Sequence, residues 1–203
     1  MEGSKFHSPF SQGSKPRTKM AIQASEGLLS PFLCHKRLAA VRPYLQGRVL
    51  DFGCGSGALA KYVASGHYLG VDIDSESLVQ ARTNYPKHHF VLPTPSTKEK
   101  FDTVVALAVI EHVSDPFGLL VTLKGYSLNS QSSCIVITTP HPSMRWVHSS
   151  GAALGLFSKH ANEEHQALLG GDKLKVFGSE LGLKVSVYRR FLFGTNQRIV
   201  YFG

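Results

Sequence analysis

The sequence predicts a doubly wound α/β fold, in which helices cover both faces of a largely buried sheet. Short apolar runs typical of buried strands alternate with helical patterns over residues 48–181. A glycine-rich turn follows the first of these strands, and the second strand, at residues 68–72, ends in an acidic residue. Two apolar runs at the end of the chain, joined through residues 194–196, predict a β-hairpin.

The strands are predicted from apolar, often β-branched runs that are bounded by turn residues. Their predicted ranges are 48–52, 68–72, 89–92, 103–107, 133–138, 184–193 and 198–202. The first five alternate with helices, as parallel strands of one sheet must, because each crossover needs a long connection. Seven strands are therefore expected, the last two as a hairpin.

The helices are predicted from caps and breakers at the ends of periodic segments. Their predicted ranges are 28–45 (as one or two helices), 58–65, 75–84, 115–126 and 172–181. Ser75 is the predicted cap of the third range, and Asp115-Pro116 begins the fourth with proline where a helix tolerates it. Gly182 ends the last range.

Composition limits the classes of protein to consider. A chain of 203 residues predicts one domain, and no apolar run approaches the roughly 20 residues of a membrane span. The net charge of +8 favours an anionic partner, whether a phosphorylated small molecule, a nucleic acid or a membrane surface. Three cysteines, far apart in sequence, predict reduced thiols and a cytoplasmic setting.

Residues 1–27 form a separate segment by composition. They are polar and basic, with Ser, Gly and Pro and no apolar core of a signal peptide. A disordered basic arm is predicted, which could meet a phosphate or an anionic surface but fits a solvated tail better. The folded domain is therefore expected to span residues 28–203.

The glycine turn carries the main chemical signal. Gly53, Gly55 and Gly57 allow a positive φ and a close backbone approach to a ligand, and the helix expected after them leaves N–H groups free. Asp72, at the tip of the second strand, could accept hydrogen bonds from two ribose hydroxyls. Asp51 would repel a pyrophosphate but suits an ammonium group. This combination favours S-adenosylmethionine over a nicotinamide dinucleotide, although Gly53, Gly55 and Ala58 also fit a dinucleotide pattern.

These segments resemble a known family. Residues 49–60 are similar to motif I of the class I S-adenosylmethionine-dependent methyltransferases, residues 70–73 to their next motif, and residues 101–113 to their fourth strand and active-site end. The resemblance covers residues 33–203 and implies a Rossmann-like methyltransferase fold with a mostly parallel sheet and an antiparallel last strand. It also implies the cofactor, S-adenosylmethionine. The cofactor-binding residues expected from the turn and the resemblance are Asp51, Gly53, Cys54, Gly55, Asp72, Ile73 and Leu107.

Candidate catalytic residues follow the fourth and fifth strands, where ligands bind in open α/β sheets. His112 is predicted as a general base that Glu111 or Asp115 orients, with His141 as a further candidate. A Glu-His pair at this place resembles small-molecule and quinone-precursor O-methyltransferases. The alternative is that His112 only shapes the pocket or caps the next helix.

No metal site is predicted. In the quinone-precursor and small-RNA 3′-end methyltransferases, a further Glu three residues before the Glu-His pair helps to bind a divalent ion, and here that position is Ala108. His160, Glu164 and His165 could supply replacement metal ligands, but we expect them to be solvated loop residues instead.

Residues 141–171 lack a clear period and follow the fifth strand, where the resembled family often inserts an element that covers the substrate. Arg145 and Trp146 within them could clamp an anionic or aromatic group. We therefore expect a methyltransferase that acts on a small molecule or a glycan- or lipid-linked intermediate, at oxygen. The alternatives are an RNA or protein methyltransferase, or a non-catalytic S-adenosylmethionine-binding subunit of a complex; a nucleic acid substrate is not favoured.

Overall fold

A seven-stranded sheet forms the centre of the structure, a computed structural model that describes residues 30–93, 99–143 and 169–203. The strands lie in the order β3-β2-β1-β4-β5-β7-β6. Their bounds are Val49–Phe52 (β1), Tyr68–Val71 (β2), His89–Val91 (β3), Thr103–Leu107 (β4), Cys134–Pro140 (β5), Lys184–Phe191 (β6) and Asn196–Phe202 (β7). Each lies within two residues of its predicted position, and the doubly wound fold is confirmed.

Strands β1 to β5 pair in parallel, and β7 pairs antiparallel with both β5 and β6. The predicted C-terminal hairpin with an antiparallel last strand is therefore confirmed. Asp51 in β1 lies opposite Gly70 in β2 and Val105 in β4. At the far side, Asn196 pairs with Pro140, which places the hairpin turn at the carboxyl ends of the parallel strands.

Four α-helices cover the sheet in the described ranges: Ser30–Val41 (α1), Ser75–Asn84 (α2), Pro116–Tyr126 (α3) and Gly171–Glu180 (α4). Asp115 caps α3 as expected, since its carboxylate accepts the Gly118 N–H. The predicted cap of α2 was wrong by one residue. Asp74, not Ser75, accepts the N–H groups of Glu76 and Ser77, because a carboxylate at this position can satisfy two free helix donors at once.

The helix predicted at residues 58–65 was wrong. Only two short 3₁₀ turns, Ala60–Tyr62 and Ser65–His67, occupy this part of the chain. Val63 is extended, and its carbonyl oxygen lies 2.9 Å from His88 Nε2, so this carbonyl bonds outside the segment rather than along a helix. Since only ten residues separate Gly57 from β2, a stable helix has little room to propagate.

The core consists of two layers, one on each face of the sheet. Alternate residues of each strand face opposite layers, so that Leu50 of β1 packs on one side and Val49 on the other. Helices α3 and α4 cover the Leu50 side, and α1 and α2 cover the other. No helix in the described residues is both long and apolar enough to cross a bilayer.

Candidate functional site

The turn after β1 lies against two neighbouring segments. The N–H groups of Gly53 and Cys54 donate to the Val71 carbonyl, at 2.7 and 3.1 Å, which ties the turn to the end of β2. Gly53 has φ +77°, and a Cβ at this position would lie 2.4 Å from a Val109 methyl group. Only glycine fits there, because both the backbone angle and the contact exclude a side chain. The turn is thereby held next to the segment that follows β4.

Asp72 sits directly after β2 and is fixed by backbone donors. Its Oδ2 accepts the Gly55 N–H at 2.7 Å, and its Oδ1 accepts the Asp74 N–H at 2.9 Å. Each carboxylate oxygen has a second lone pair for a ligand hydroxyl. Ile73, beside it, is 55 % exposed despite its apolar side chain. These two residues offer a ribose-type contact and an apolar surface side by side.

Asp51 is buried in the sheet at the end of β1. Its Oδ2 accepts the Tyr68 hydroxyl at 2.7 Å, and its Oδ1 has no hydrogen-bond partner among the described residues. Burial, and to a lesser extent the nearby Asp72 charge, raise the pKa of the Asp51 carboxyl to about 7. A buried carboxylate oxygen without a donor is costly, so this atom fits a cationic ligand that supplies one.

The other expected cofactor residues lie in the glycine turn and at the end of β4. Gly55, with φ +50°, has open space where a Cβ would project, so a ligand can approach its backbone closely. Cys54 is almost fully buried, and its Sγ lies 3.0 Å from the position of a Cβ on Gly70. Burial raises the pKa of the Cys54 thiol, which suits packing rather than nucleophilic attack. Leu107 ends β4 and is half-buried.

The residues present therefore fit S-adenosylmethionine. The unpartnered oxygen of Asp51 suits its ammonium group, Asp72 suits its ribose hydroxyls, and the open backbone at Gly55 leaves room for it. A dinucleotide fits worse, because a pyrophosphate beside Asp51 and Asp72 would meet two carboxylates.

A strained residue redirects the chain after β4. Ala108 continues the ladder by donating to the Thr138 carbonyl at 2.8 Å, yet its φ is +55°, an uncommon value for a residue with a Cβ. The 3₁₀ turn Ile110–His112 follows. It turns Glu111 into the interior, 1 % exposed, and leaves His112 exposed. The predicted Glu-His pair is thus divided, with Glu111 in the core and His112 on the surface.

Glu111 belongs to a buried polar cluster at the carboxyl edge of the sheet. Its Oε2 accepts the Thr139 hydroxyl at 3.0 Å, and its Oε1 has no hydrogen-bond partner within the described ranges. Burial raises the pKa of the Glu111 carboxyl, against the opposing effects of its backbone hydrogen bond and of the charges on His112 and Arg37. Glu111 is therefore placed to fix the turn that carries His112, and its predicted catalytic role stays a prediction.

Arg37 and Asn196 complete this cluster, and no sequence signal identified either of them. Arg37 Nε donates to Asn196 Oδ1 at 3.1 Å, so helix α1 is tied to the start of β7. Burial lowers the pKa of the Arg37 guanidinium, and the Glu111 charge opposes this effect. An arginine among the apolar residues of a helix does not mark a buried site, because its long side chain can also reach solvent from such a position. Tyr68, the partner of Asp51, was also missed.

His141 follows β5 and is held by the hairpin turn. Its backbone N–H donates to the Thr195 carbonyl, and its Nδ1 accepts the Ser143 N–H at 3.1 Å. The neutral ring therefore carries its proton on Nε2. Burial and the nearby Arg190 charge lower the pKa of His141. With Nδ1 already accepting a bond, this residue is better placed to orient the loop than to take a proton, and its catalytic role stays a prediction.

Part of the predicted site lies outside the described residues. Arg145, Trp146, His160, Glu164 and His165 lie within residues 144–168, and the predicted basic arm, residues 1–27, lies before residue 30, where the described part of the chain begins. The covering role of residues 141–171 therefore stays a prediction. In the described ranges, no group of three His, Cys, Asp or Glu side chains is arranged to hold a metal ion.

Comparison with known proteins agrees with this geometry. Residues 27–186 match the family model of a methyltransferase domain. A ribosomal protein L11 methyltransferase of Ralstonia pickettii is 31 % identical over an alignment of 121 positions, which covers 56 % of this chain and 35 % of that protein. A ubiquinone biosynthesis O-methyltransferase of Bradyrhizobium diazoefficiens is 29 % identical over an alignment of 122 positions, which covers 49 % of this chain and 48 % of that protein. The chain thus spans between a third and a half of the length of these relatives.

Solved structures share the fold over nearly the whole chain. The magnesium protoporphyrin IX methyltransferase of Synechocystis, solved with bound S-adenosylhomocysteine, has a TM-score of 0.66 at 13 % identity and covers 93 % of this chain and 90 % of its own. A putative methyltransferase in complex with the Trm112 activator of Haloferax volcanii has a TM-score of 0.68 at 14 % identity, over 93 % and 99 %. By its matched domain and its fold, the chain belongs to the class I S-adenosylmethionine-dependent methyltransferases.

Proposed function

We propose that the protein transfers a methyl group from S-adenosylmethionine to an oxygen atom of a small molecule or of a glycan- or lipid-linked intermediate. The observation that carries the proposal is the pair of carboxylates on either side of the glycine turn. Asp51 keeps a buried oxygen without a donor, and Asp72 is held by backbone N–H groups beside an exposed Ile73. A scaffold without a cofactor would have no reason to keep this buried charge.

Different residues of the chain would bind different parts of the cofactor. Asp51 would pair with the ammonium group, Asp72 with the ribose hydroxyls, and Ile73 and Leu107 with the adenine ring. When bound, S-adenosylmethionine supplies a methyl group that its sulfonium already activates. The protein's remaining tasks are to orient an acceptor against it and to remove a proton from that acceptor.

His112 is the group best placed to remove that proton. It is exposed at the carboxyl edge of the sheet, on a turn that contacts the glycine turn through Val109 and Gly53. A histidine has an ordinary pKa close to neutral pH, which suits acceptance of a hydroxyl proton. The Glu111 charge behind it would stabilise the imidazolium that forms, and Thr139 fixes that carboxylate.

A second candidate is a methyltransferase that acts on RNA or on a protein. The net charge of +8 favours a polyanionic partner, and curated relatives include enzymes named for ribosomal protein L11. One structural neighbour is a putative methyltransferase in complex with an activator, so a partner subunit is a further candidate for this chain. The polar cluster around Glu111 and the exposed His112 favour a small hydroxylated acceptor instead.

Transfer of a labelled methyl group separates these candidates. The purified protein is incubated with methyl-labelled S-adenosylmethionine and a cell extract divided into small-molecule, lipid, RNA and protein fractions. We expect the label in the small-molecule or lipid fraction, in an alkali-stable ether, and much less of it with His112→Ala. Label confined to RNA or protein would establish the second candidate.

A further inference from the structure

A basic groove lies between helix α1 and the β6–β7 hairpin. It encloses about 530 Å³ at the carboxyl edge of the sheet, on the side away from β1 and β2. Its lining, all within the described ranges, has four basic side chains and no acidic one. The basic residues are Lys36, Arg189, Arg190 and Arg198, and the large apolar ones at its rim include Phe32 and Phe193.

The hairpin turn at the end of this groove is strained. Leu192 and Phe193 both have a positive φ, +51° and +54°, where Gly, Asn or Asp would be ordinary and bulky residues are outliers. Packing of the Phe193 side chain does not offset this strain, since the side chain is fully exposed, at 105 % of the reference value. A costly backbone angle that presents an unburied aromatic ring indicates a functional use of that ring.

The turn is held rigidly in this conformation. Arg190 donates from Nε and Nη2 to the Gly194 carbonyl, at 3.1 and 2.8 Å, and from Nη2 to Ser143 Oγ at 3.0 Å. Arg190 is therefore committed to the turn. Arg189 is exposed beside it, and Lys36 lies over the Phe32 ring at 5.3 Å, so that these two cations face the groove.

We propose that this groove and the hairpin tip form a docking surface for an anionic phospholipid membrane. Phe193 would enter the interface between headgroups and acyl chains, while Lys36 and Arg189 meet headgroup phosphates. Charge complementarity and the fully exposed apolar ring of Phe193 beside these cations argue for this partner. A platform for nucleic acid bases would instead present a ring that neighbouring side chains hold in place, whereas the Phe193 side chain is fully exposed.

Docking by this surface would place the carboxyl edge of the sheet at the membrane. His141 and Ser143 connect the hairpin turn to the end of β5, and Arg37 connects α1 to the cluster around Glu111. The candidate site would then open toward lipid-borne acceptors. Docking of this kind fixes where the protein works, whatever the identity of the methyl acceptor.

Sedimentation with vesicles tests the proposal without any activity measurement. The protein of residues 1–203 is mixed with vesicles of phosphatidylcholine alone, or of phosphatidylcholine mixed with phosphatidylglycerol. We expect partitioning to be about tenfold stronger or more onto the anionic vesicles, and to fall in high salt, because exposed charges are then screened. Equal partitioning onto both kinds of vesicle, or onto neither, would overturn the proposal.

Two variants and two matched controls identify the surface. Phe193→Asn should lower partitioning about tenfold, while Tm stays the same or rises because Asn tolerates the positive φ. Arg189→Gln should lower partitioning several-fold. Val79→Ser, at another exposed apolar side chain, and Lys87→Gln, near the amino ends of the strands, should leave it unchanged.

Equal effects of the test and control variants would contradict the proposed surface. Binding of a labelled oligouridylate that Phe193→Asn abolishes, without any vesicle binding, would overturn the membrane proposal in favour of a nucleic acid site.

Discussion

The Tyr68 hydroxyl donates to one oxygen of the Asp51 carboxyl at 2.7 Å and leaves the other oxygen buried, with no hydrogen-bond partner in the described part of the chain. Tyr68 therefore fixes the carboxyl and directs its remaining oxygen. Gly70, opposite Asp51 in β2, contributes no side chain that could satisfy it. The protein thus maintains a costly buried carboxyl oxygen without a donor at the point where the class I methyltransferases are expected to bind their cofactor.

Asp51→Asn should raise the stability of the free protein at high pH. Burial raises the Asp51 pKa from 3.8 to about 7. Between these values the native state holds a proton that the unfolded state has released, so the stability of the wild type falls as the pH rises from about 4 to about 7. Asn does not titrate, and it can still accept the Tyr68 hydroxyl.

The expected gain from Asp51→Asn is roughly 2 to 4 kcal/mol at pH 8 and near zero at pH 4. Calorimetric Tm values of the wild type and the variant, compared at both pH values, measure it. The same variant should weaken S-adenosylhomocysteine binding tenfold or more, because the cationic end of the ligand loses its counter-charge. A Tm difference that does not change with pH would contradict the buried charge.

Asp72→Ala should weaken the binding of S-adenosylhomocysteine by about 1.5–3 kcal/mol, through the loss of charge-assisted hydrogen bonds. Asp72→Asn should fall between this variant and the wild type, since it keeps an acceptor for the Gly55 N–H. Titration calorimetry measures all three proteins. Asp172→Ala, at a side chain that is 98 % exposed, is the control and should bind normally.

His112→Ala should lower turnover about 100-fold or more while cofactor affinity stays nearly intact, if His112 is the general base. The control is His89→Ala. His89 is exposed at the start of β3, and it therefore lies at the amino ends of the parallel strands, away from His112 at their carboxyl ends. Transfer of a labelled methyl group and ligand titration give the two readouts. Unchanged turnover would remove His112 from the catalytic role and leave it as a residue that shapes the pocket.

Glu111→Ala should destabilise the protein by roughly 1–3 kcal/mol, since it leaves the buried Thr139 hydroxyl without its acceptor and removes the charge that opposes the half-buried Arg37. The matched control is Glu99→Ala. Glu99 forms a surface ion pair with Arg48, and both side chains are about half exposed, so its loss should cost less than about 1 kcal/mol. Urea unfolding measures both variants. Equal losses would show that Glu111 is not part of a buried charge cluster.

The sheet could be predicted from the sequence because short apolar runs and turn residues alternate regularly along the chain. The apolar runs are short, bounded by turn residues, and separated by crossovers of the right length. The two carboxylates could also be predicted, since Asp51 and Asp72 end neighbouring parallel strands and must meet at one edge. Local pattern and topology agree at these positions.

The remaining features depend on contacts between segments that are distant in sequence. The segment at 58–65 has a helical pattern, but the hydrogen bond between Val63 and His88 gives its backbone another partner. Glu111 and His112 point apart because they are consecutive residues of a 3₁₀ turn, which has about three residues per turn, and nothing in the sequence marks this turn or the positive φ of Ala108 before it. Arg37 meets Asn196 across 159 residues, a contact that no local pattern reveals.

Titration of the wild-type protein with S-adenosylhomocysteine, with NAD as the control ligand, shows whether Asp51, the glycine turn and Asp72 bind the cofactor. We expect S-adenosylhomocysteine to bind, to bind more tightly at pH 8 than at pH 6 as Asp51 loses its proton, and NAD not to bind. Binding of NAD, or of neither ligand at either pH, would contradict the claim that Asp51, the glycine turn and Asp72 form a site for S-adenosylmethionine.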